Sequence, residues 1–408
     1  MRVIRFGVIA CIATVLCIAT AEAQTFTVLH RFGGSRTDGQ RPIASMIWGP
    51  GNTTLFGVTT VGGPNGGGTV YQVSLSGRET FLYSFGSGTD AALPTTLVRG
   101  PGGTAYGTST GGGNFQRGTI FKVAKVGNTL QESVLYSFKG GTDGSNPSSG
   151  LVWDAAGNLY GTTSGGGGSA ACFGGCGTVF KVNSTTGQET VLHTFQSSPD
   201  GAGPASGLVR DSAGNLYGTT EFGGASNDGT VFMLSPNGVM TILHSFTGTP
   251  DGNGPFAGLL RDSAGNLFGT TSNGGTSTNP ECGFFGCGTV FEITSGGVES
   301  VLYSFSGTDD ADEGGPSGGL VEDTAGNLYG TAMGFNNGAT CVDPGAGGCG
   351  TIFKLDPSGT LTTLHNFSWS DGAAPWATMI MDSSGNLYGN TISGGLGLGN
   401  GVVFKLTP

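Results

Sequence analysis

Seven aspartates stand four residues ahead of a proline, at Asp38, Asp90, Asp143, Asp200, Asp251, Asp312 and Asp371, with Pro42, Pro94, Pro147, Pro204, Pro255, Pro316 and Pro375. Carboxylate oxygens are the donors that Ca²⁺ prefers, so these seven are the candidate metal ligands of the chain. Most are followed by glycine, and Asp-Gly is also ordinary turn chemistry in which the side chain accepts backbone N–H bonds. Their unbroken repetition favours the structural role, and Ca²⁺ is the one cofactor the sequence admits.

A second constellation comes from the later part of the chain, where loops lengthen. The stretches NPECGFFGC (279–287), TDDADEGGP (308–316), AMGFNNGATCVDPGAGGCG (332–350) and SWSDGAAPW (368–376) supply Phe284, Phe285, Trp369 and Trp376 beside Asp309, Asp310, Glu313 and Asp343. Aromatic faces among carboxylates suit sugar stacking, hydroxyl recognition or a cationic ligand. Paired carboxylates such as Asp312 and Asp343 could alternatively serve a polysaccharide hydrolase or lyase. Against that stands the use of histidine, the commonest catalytic base. All four, His30, His193, His244 and His365, fill the third position of a V-L-x-x-F pattern. Tyr83, Tyr136 and Tyr303 fill it elsewhere, which marks a packed position with one polar tip.

The cysteines divide by position. Cys172 and Cys176, Cys282 and Cys287, and Cys341 and Cys349 lie two to a loop, each pair just ahead of a GTVF-like segment. Two thiols with no histidine nearby are too few for a zinc site. Three local disulfides are expected, which fits an oxidising compartment.

These residues need elements to hold them. The phenylalanines that close the V-L-x-x-F pattern fall at Phe32, Phe85, Phe138, Phe195, Phe246, Phe305 and Phe367, spaced 51 to 62 residues apart. Each unit contains four short apolar segments, as in GLVRD (207–211), NLYGTT (215–220), GTVFML (229–234) and TILHSF (241–246). Segments of five or six residues, rich in Val, Ile, Leu, Phe, Tyr and Thr and bounded by Gly, Asn, Asp or Ser, read as strands. Links such as DSAGN (211–215) read as hairpin turns, and the hairpin carboxylates Asp154, Asp211, Asp262, Asp323 and Asp382 as turn residues.

Four antiparallel strands repeated seven times, with almost no helix, predict an all-β, seven-bladed β-propeller. TFTVLHRF (25–32) is a fourth strand with no preceding three, and GVVFKL (401–406) is a third strand lacking its fourth. The N-terminal strand is therefore expected to close the ring by joining the C-terminal three. Residues 24–408 then form one propeller domain, although 408 residues would by length suggest two or three.

Glycine supplies 82 residues and charged residues only 11%, while the net charge is -11. Such a surface disfavours nucleic acid and anionic membranes as partners. Residues 1–23 read as a secretory signal peptide, with Arg2 and Arg5 ahead of an apolar stretch and Ala21-Glu22-Ala23 as the cleavage site. A secreted or periplasmic protein is expected after cleavage near Ala23, monomeric and without a membrane span.

The unit GLVxDxAGNLYGTTxxGG…GTVFKVxxxG…TVLHSFxGxxDGxxP resembles the GloVer-type tandem repeat of exported bacterial proteins over essentially all of residues 25–408. It is also similar to the periplasmic sensor propellers of two-component regulators, which share the D-x-x-G-x-L-x-x-G-T hairpin. PGNTTLFG (50–57) and PGGTAYG (101–107) depart by lacking the hairpin Asp. The resemblance implies export and repetition and carries no catalytic residue. The expected function is a non-enzymatic exported propeller that binds carbohydrate or another envelope component through its long-loop face. The alternatives are the carboxylate-pair enzyme and a purely structural surface protein.

Overall fold

The computed structural model describes residues 24–33, 35, 37–86, 88–127, 129–279, 282, 286–307, 315–334, 341, 349–395 and 399–408. The leader, Phe284, Phe285, Asp309, Asp310, Asp312, Glu313 and Asp343 lie outside the described residues.

Seven antiparallel blade sheets follow one another, six of four strands and that of blade 2 of five because Ala91–Pro94 also pairs with Ala105–Gly112, and two further two-stranded pairs lie among the described residues. In blade 4 the four strands are Val209–Arg210, Leu216–Thr220, Thr230–Leu234 and Met240–Ser245. Blade 7 combines Ile380–Met381, Leu387–Thr391 and Val402–Thr407 with the N-terminal strand Thr25–Arg31. The register of that last pair runs from Thr25 opposite Thr407 to Arg31 opposite Val402. The seven-bladed propeller closed by its two chain ends is thus the observed fold.

The repeated residues follow from the packing between blades. The phenylalanine ending each fourth strand meets, edge to face, an aromatic ring on the third strand of the next blade. Phe85 and Phe121 are 4.9 Å apart between centroids, Phe246 and Phe291 5.1 Å, and Phe367 and Phe404 5.4 Å. Phe32 on Tyr71, at 4.9 Å, completes the circle across the chain ends. Edge-to-face pairs at this spacing add to the energy of burial. The glycine of each NLYG segment makes room for the ring, since a Cβ on Gly269 would lie 2.5 Å from Phe291 Cζ.

Hydroxyls do the corresponding work on the polar side. Within a blade, the last residue of the second strand shares a buried hydrogen bond with the first of the third, as in Thr220 with Thr230 at 2.9 Å and Thr271 with Thr289 at 2.9 Å. One residue earlier, Thr162 donates to Pro204 O and Thr219 to Ala257 O of the next blade. In blade 7 Asn390 takes that position and donates to Ala44 O, tying the last blade to the first.

Blade 6 breaks the hydroxyl pair, because Ala332 faces Thr351 there, and the buried Thr351 Oγ1 has no partner among the described residues. Ala332→Thr should restore the bond and raise stability by about 1 kcal/mol, the net worth of one such bond. Chemical unfolding checks this, and a loss of stability would contradict it.

The hairpin aspartates are turn residues. Asp211 accepts from Asn215 N and Nδ2, both at 2.8 Å, and from the Tyr217 hydroxyl at 3.1 Å. Burial alone would raise its pKa, but these bonds outweigh it and hold the carboxyl below the usual range. Blades 1 and 2, which lack this Asp, turn instead through the short 3₁₀ segments Pro50–Asn52 and Pro101–Gly103.

Candidate functional site

The segment after each junction proline enters the ring at its axis. Residues of all seven entry segments line one axial cavity of about 140 Å³. The position directly after the proline is filled by Ile43, Thr95, Ser148, Ala205, Phe256, Ser317 and Trp376 in turn. Blades 5, 7 and 1 therefore give the mouth an apolar side, Phe256, Trp376 and Ile43. Blades 2, 3 and 6 set hydroxyls around it. Trp376 is 38% exposed, and its ring lies 5.1 Å from that of Phe256 at an interplanar angle of 42°. Below them Thr95 bonds the Thr108 hydroxyl at 3.0 Å and Ser317 donates to Pro375 O at 2.5 Å, which fixes the walls. Among the described residues no charged side chain lines the cavity. Such a mouth can stack on an apolar face and exchange hydrogen bonds, but its walls hold no group that titrates near neutral pH.

The junction loops rise on the same face as the loops between second and third strands. Gly144–Ser145 pairs with Gly165–Gly166, and Ala373 bridges Ser393. That face also carries the exposed rings Phe115, Phe173 and Phe222. The disulfides Cys172–Cys176, Cys282–Cys287 and Cys341–Cys349 are formed, as the spacing predicts.

The two candidate tryptophans part company. Trp376 stands at the mouth. Trp369 instead packs against the core of blade 7, over the backbone of Gly399, so it offers no open platform. Phe256, absent from the sequence-based set, takes its place beside Trp376. The signal was available: Phe256 and Trp376 occupy the same position of the repeat, the residue after the junction proline.

The junction aspartates do not ring the axis as the sequence reading placed them, for none of the described six is among the lining residues. Each is held against the outer strand of its blade. Asp38 accepts from Gly33 N at 2.7 Å, Asp90 from Gly86 N at 2.5 Å, and Asp143 from Lys139 N at 2.9 Å. Asp200 and Asp251 accept from Gln196 N at 2.9 Å and Thr247 N at 3.1 Å, and Asp371 from Ser368 N at 2.7 Å. The polar tip of the His/Tyr position completes the arrangement. His193 and His244 approach Asp200 and Asp251 at 2.7 and 2.9 Å, Tyr136 donates to Asp143 at 2.9 Å, and His365 lies 3.2 Å from Asp371. Burial raises the Asp200 pKa, but His193 and Gln196 more than reverse this and hold the carboxyl low. No three His, Cys, Asp or Glu side chains among the described residues gather closely enough for a metal ion. The carboxylates are spaced around the rim because each serves its own junction.

A family model described as the Gloeobacter/Verrucomicrobia repeat matches residues 13–171, 76–282 and 276–408. Among curated proteins none matches the chain. Solved structures share the fold at low identity. The extracellular domain assigned to a hybrid two component system of B. thetaiotaomicron is 12% identical with a TM-score of 0.54. The match covers 95% of this chain and 42% of that one. The GH74 enzyme of Niastella koreensis is 14% identical with a TM-score of 0.55, over 93% of this chain and 53% of that one. A Bacteroides uniformis protein assigned as a 6-phosphogluconolactonase is 17% identical with a TM-score of 0.52, over 82% of this chain and 88% of that one.

Proposed function

The chain belongs to the Gloeobacter/Verrucomicrobia repeat family, and we propose for it a binding role: an exported, non-enzymatic propeller that takes a neutral, hydroxyl-rich ligand at its axial mouth. Carbohydrate, free or as part of the cell envelope, is the ligand class. The observation that carries this reading is the Phe256–Trp376 pair with Ser148 at an uncharged opening, above walls whose Thr95 and Ser317 hydroxyls are already hydrogen-bonded within the protein. A sugar ring presents the matching surfaces, an apolar face of C–H groups and an edge of hydroxyls. Three disulfides and the likeness to an extracellular domain support export. Among the described residues no helix is long and apolar enough to cross a membrane.

The test is thermal unfolding of the oxidised protein with a panel of neutral and charged oligosaccharides. A ligand at ~100 times its dissociation constant adds ~2.7 kcal/mol to the folded state. A neutral sugar should raise the midpoint for the native protein, and Trp376→Ala should remove that rise while leaving the ligand-free midpoint nearly in place. A shift that survives in Trp376→Ala, or that only charged sugars produce, would refute the assignment.

A further inference from the structure

Six of the seven blades bury a leucine at the start of the second strand: Leu55, Leu159, Leu216, Leu267, Leu328 and Leu387, none more than 4% exposed. Blade 2 has Ala105 there, in TAYG (104–107) where blade 3 reads NLYG (158–161). The register shows the equivalence, for Ala105 stands opposite Val123 as Leu159 stands opposite Val182 and Leu216 opposite Leu234. This leucine helps to seal the seam to the preceding blade: Leu159 belongs to one buried cluster with Ile120 and Phe138 of blade 2. Ala105 joins the corresponding cluster, with Val70 and Phe85 of blade 1, but is shorter by an isopropyl group.

At this place the seam between blades 1 and 2 opens as a slot of about 80 Å³. Ile47, Trp48, Phe56, Val70, Val123 and Leu130 wall it, and because Val70 and Val123 are core residues its floor reaches the buried seam. Leu130 comes from the lengthened hairpin of Thr119–Val126 with Thr129–Ser137 and lines the slot without filling it. One charged side chain borders it, Arg99, which stands directly opposite Ala105. The equivalent Arg210 and Arg261 stand opposite leucines and lie over Tyr160 and Tyr217 of the preceding blade, 6.0 and 5.9 Å from the ring centroids. In blade 1 the ring at that place is Phe56, and Arg99 is exposed. It donates to Gly49 O at 3.4 Å, and among the described residues no carboxylate pairs with it.

We propose that this slot binds a short-chain monocarboxylate, its branched alkyl tail taking the place of the missing leucine side chain and its carboxylate meeting Arg99 at the rim. The ligand supplies from outside the apolar group that the six sister blades build in. Walls of this kind offer water too few hydrogen-bond partners to hold it, and an engineered apolar cavity of about 150 Å³ stays dry and binds benzene. A guanidinium receives a carboxylate through two parallel N–H···O bonds, which fixes the orientation tail inward. A sugar does not suit the slot, because its hydroxyls would be desolvated against Val70 and Val123 without partners. Gly49, Pro50, Gly103 and Thr104 place the opening beside the first hairpins of the two blades, on the face opposite the junction loops, so the site is separate from the axial mouth.

Thermal unfolding and isothermal titration calorimetry with sodium isovalerate test this at neutral pH and fixed ionic strength. Acetate, which lacks the tail, and isoamyl alcohol, which lacks the charge, serve as comparisons. One-site saturation by isovalerate with a raised melting midpoint is expected, and acetate should bind at least about tenfold more weakly for want of buried carbons. Ala105→Leu rebuilds the sister side chain and should abolish binding while raising the ligand-free midpoint. Arg99→Gln should weaken isovalerate about tenfold, ordinary for a lost hydrogen bond to a charged group, and leave the alcohol unchanged. Arg99 is exposed, so this variant keeps the test decisive even if Ala105→Leu proves overpacked on melting. Absence of saturation by isovalerate overturns the proposal, as does undiminished binding by Ala105→Leu or Arg99→Gln. Equal affinity for the alcohol and the acid overturns the pairing with Arg99. Binding lost in Trp376→Ala and kept in Ala105→Leu overturns it in favour of the axial mouth.

Discussion

Replacing Phe246 by alanine should lower the free energy of unfolding by about 3–5 kcal/mol, the usual loss for a fully buried phenylalanine. Phe246 is completely buried, and its ring meets Phe291 of the following blade edge to face at 5.1 Å. The truncation removes burial and leaves a void at the seam between blades 4 and 5, where backbone on both sides prevents collapse. Part of the loss belongs to the ring pair itself. The double variant with Phe291→Ala should therefore fall short of the sum of the two single changes by about 0.5–1.5 kcal/mol. Urea unfolding of the three variants measures both quantities. A loss below 1 kcal/mol, or strict additivity, would mean that the seam is held by something other than its aromatic pairs.

Removal of residues 24–32 should abolish cooperative folding. The strand Thr25–Arg31 supplies the fourth strand of blade 7, and Phe32 reaches onward to Tyr71 of blade 1. Phe26 stacks on His365 with centroids 3.6 Å apart and meets Phe367 edge-on at 5.6 Å. Burial of Phe26, Val28, Leu29 and Phe32 together contributes on the order of 5–10 kcal/mol, comparable with the whole stability of an ordinary domain. The truncated chain would also expose the edge of Val402–Thr407 and become prone to association through it. A synthetic peptide of sequence TFTVLHRF added in trans should restore a cooperative melting transition. A truncated protein that melts cooperatively on its own, within a few degrees of the native one, would contradict ring closure as the source of stability.

The parts of this molecule that could be read from sequence are those in which chemistry and period coincide. The V-L-x-x-F column marked the strand that ends on the inter-blade aromatic pair, and paired cysteines within one loop can reach little but each other. The His/Tyr column was legible as a packed position with a polar tip, yet the partner of that tip was not. Asp200 and Asp251 reach His193 and His244 only because a junction turn folds back on the outer strand, a geometry that no local pattern encodes. The same fold-back takes the carboxylates off the axis. At the mouth, loop length drew attention to Trp369 and Trp376 alike, whereas the repeat position separates them: Trp376 follows the junction proline, as Phe256 does, and Trp369 precedes it.

The most direct measurement is a crystal structure of the protein soaked with the neutral oligosaccharide that raises its melting midpoint. A sugar ring lying flat on Trp376 within van der Waals contact, flanked by Phe256 and with a hydroxyl directed to Ser148, is expected. Density for the sugar on the opposite face or along the outer strands, with the Phe256–Trp376 mouth empty, would contradict it.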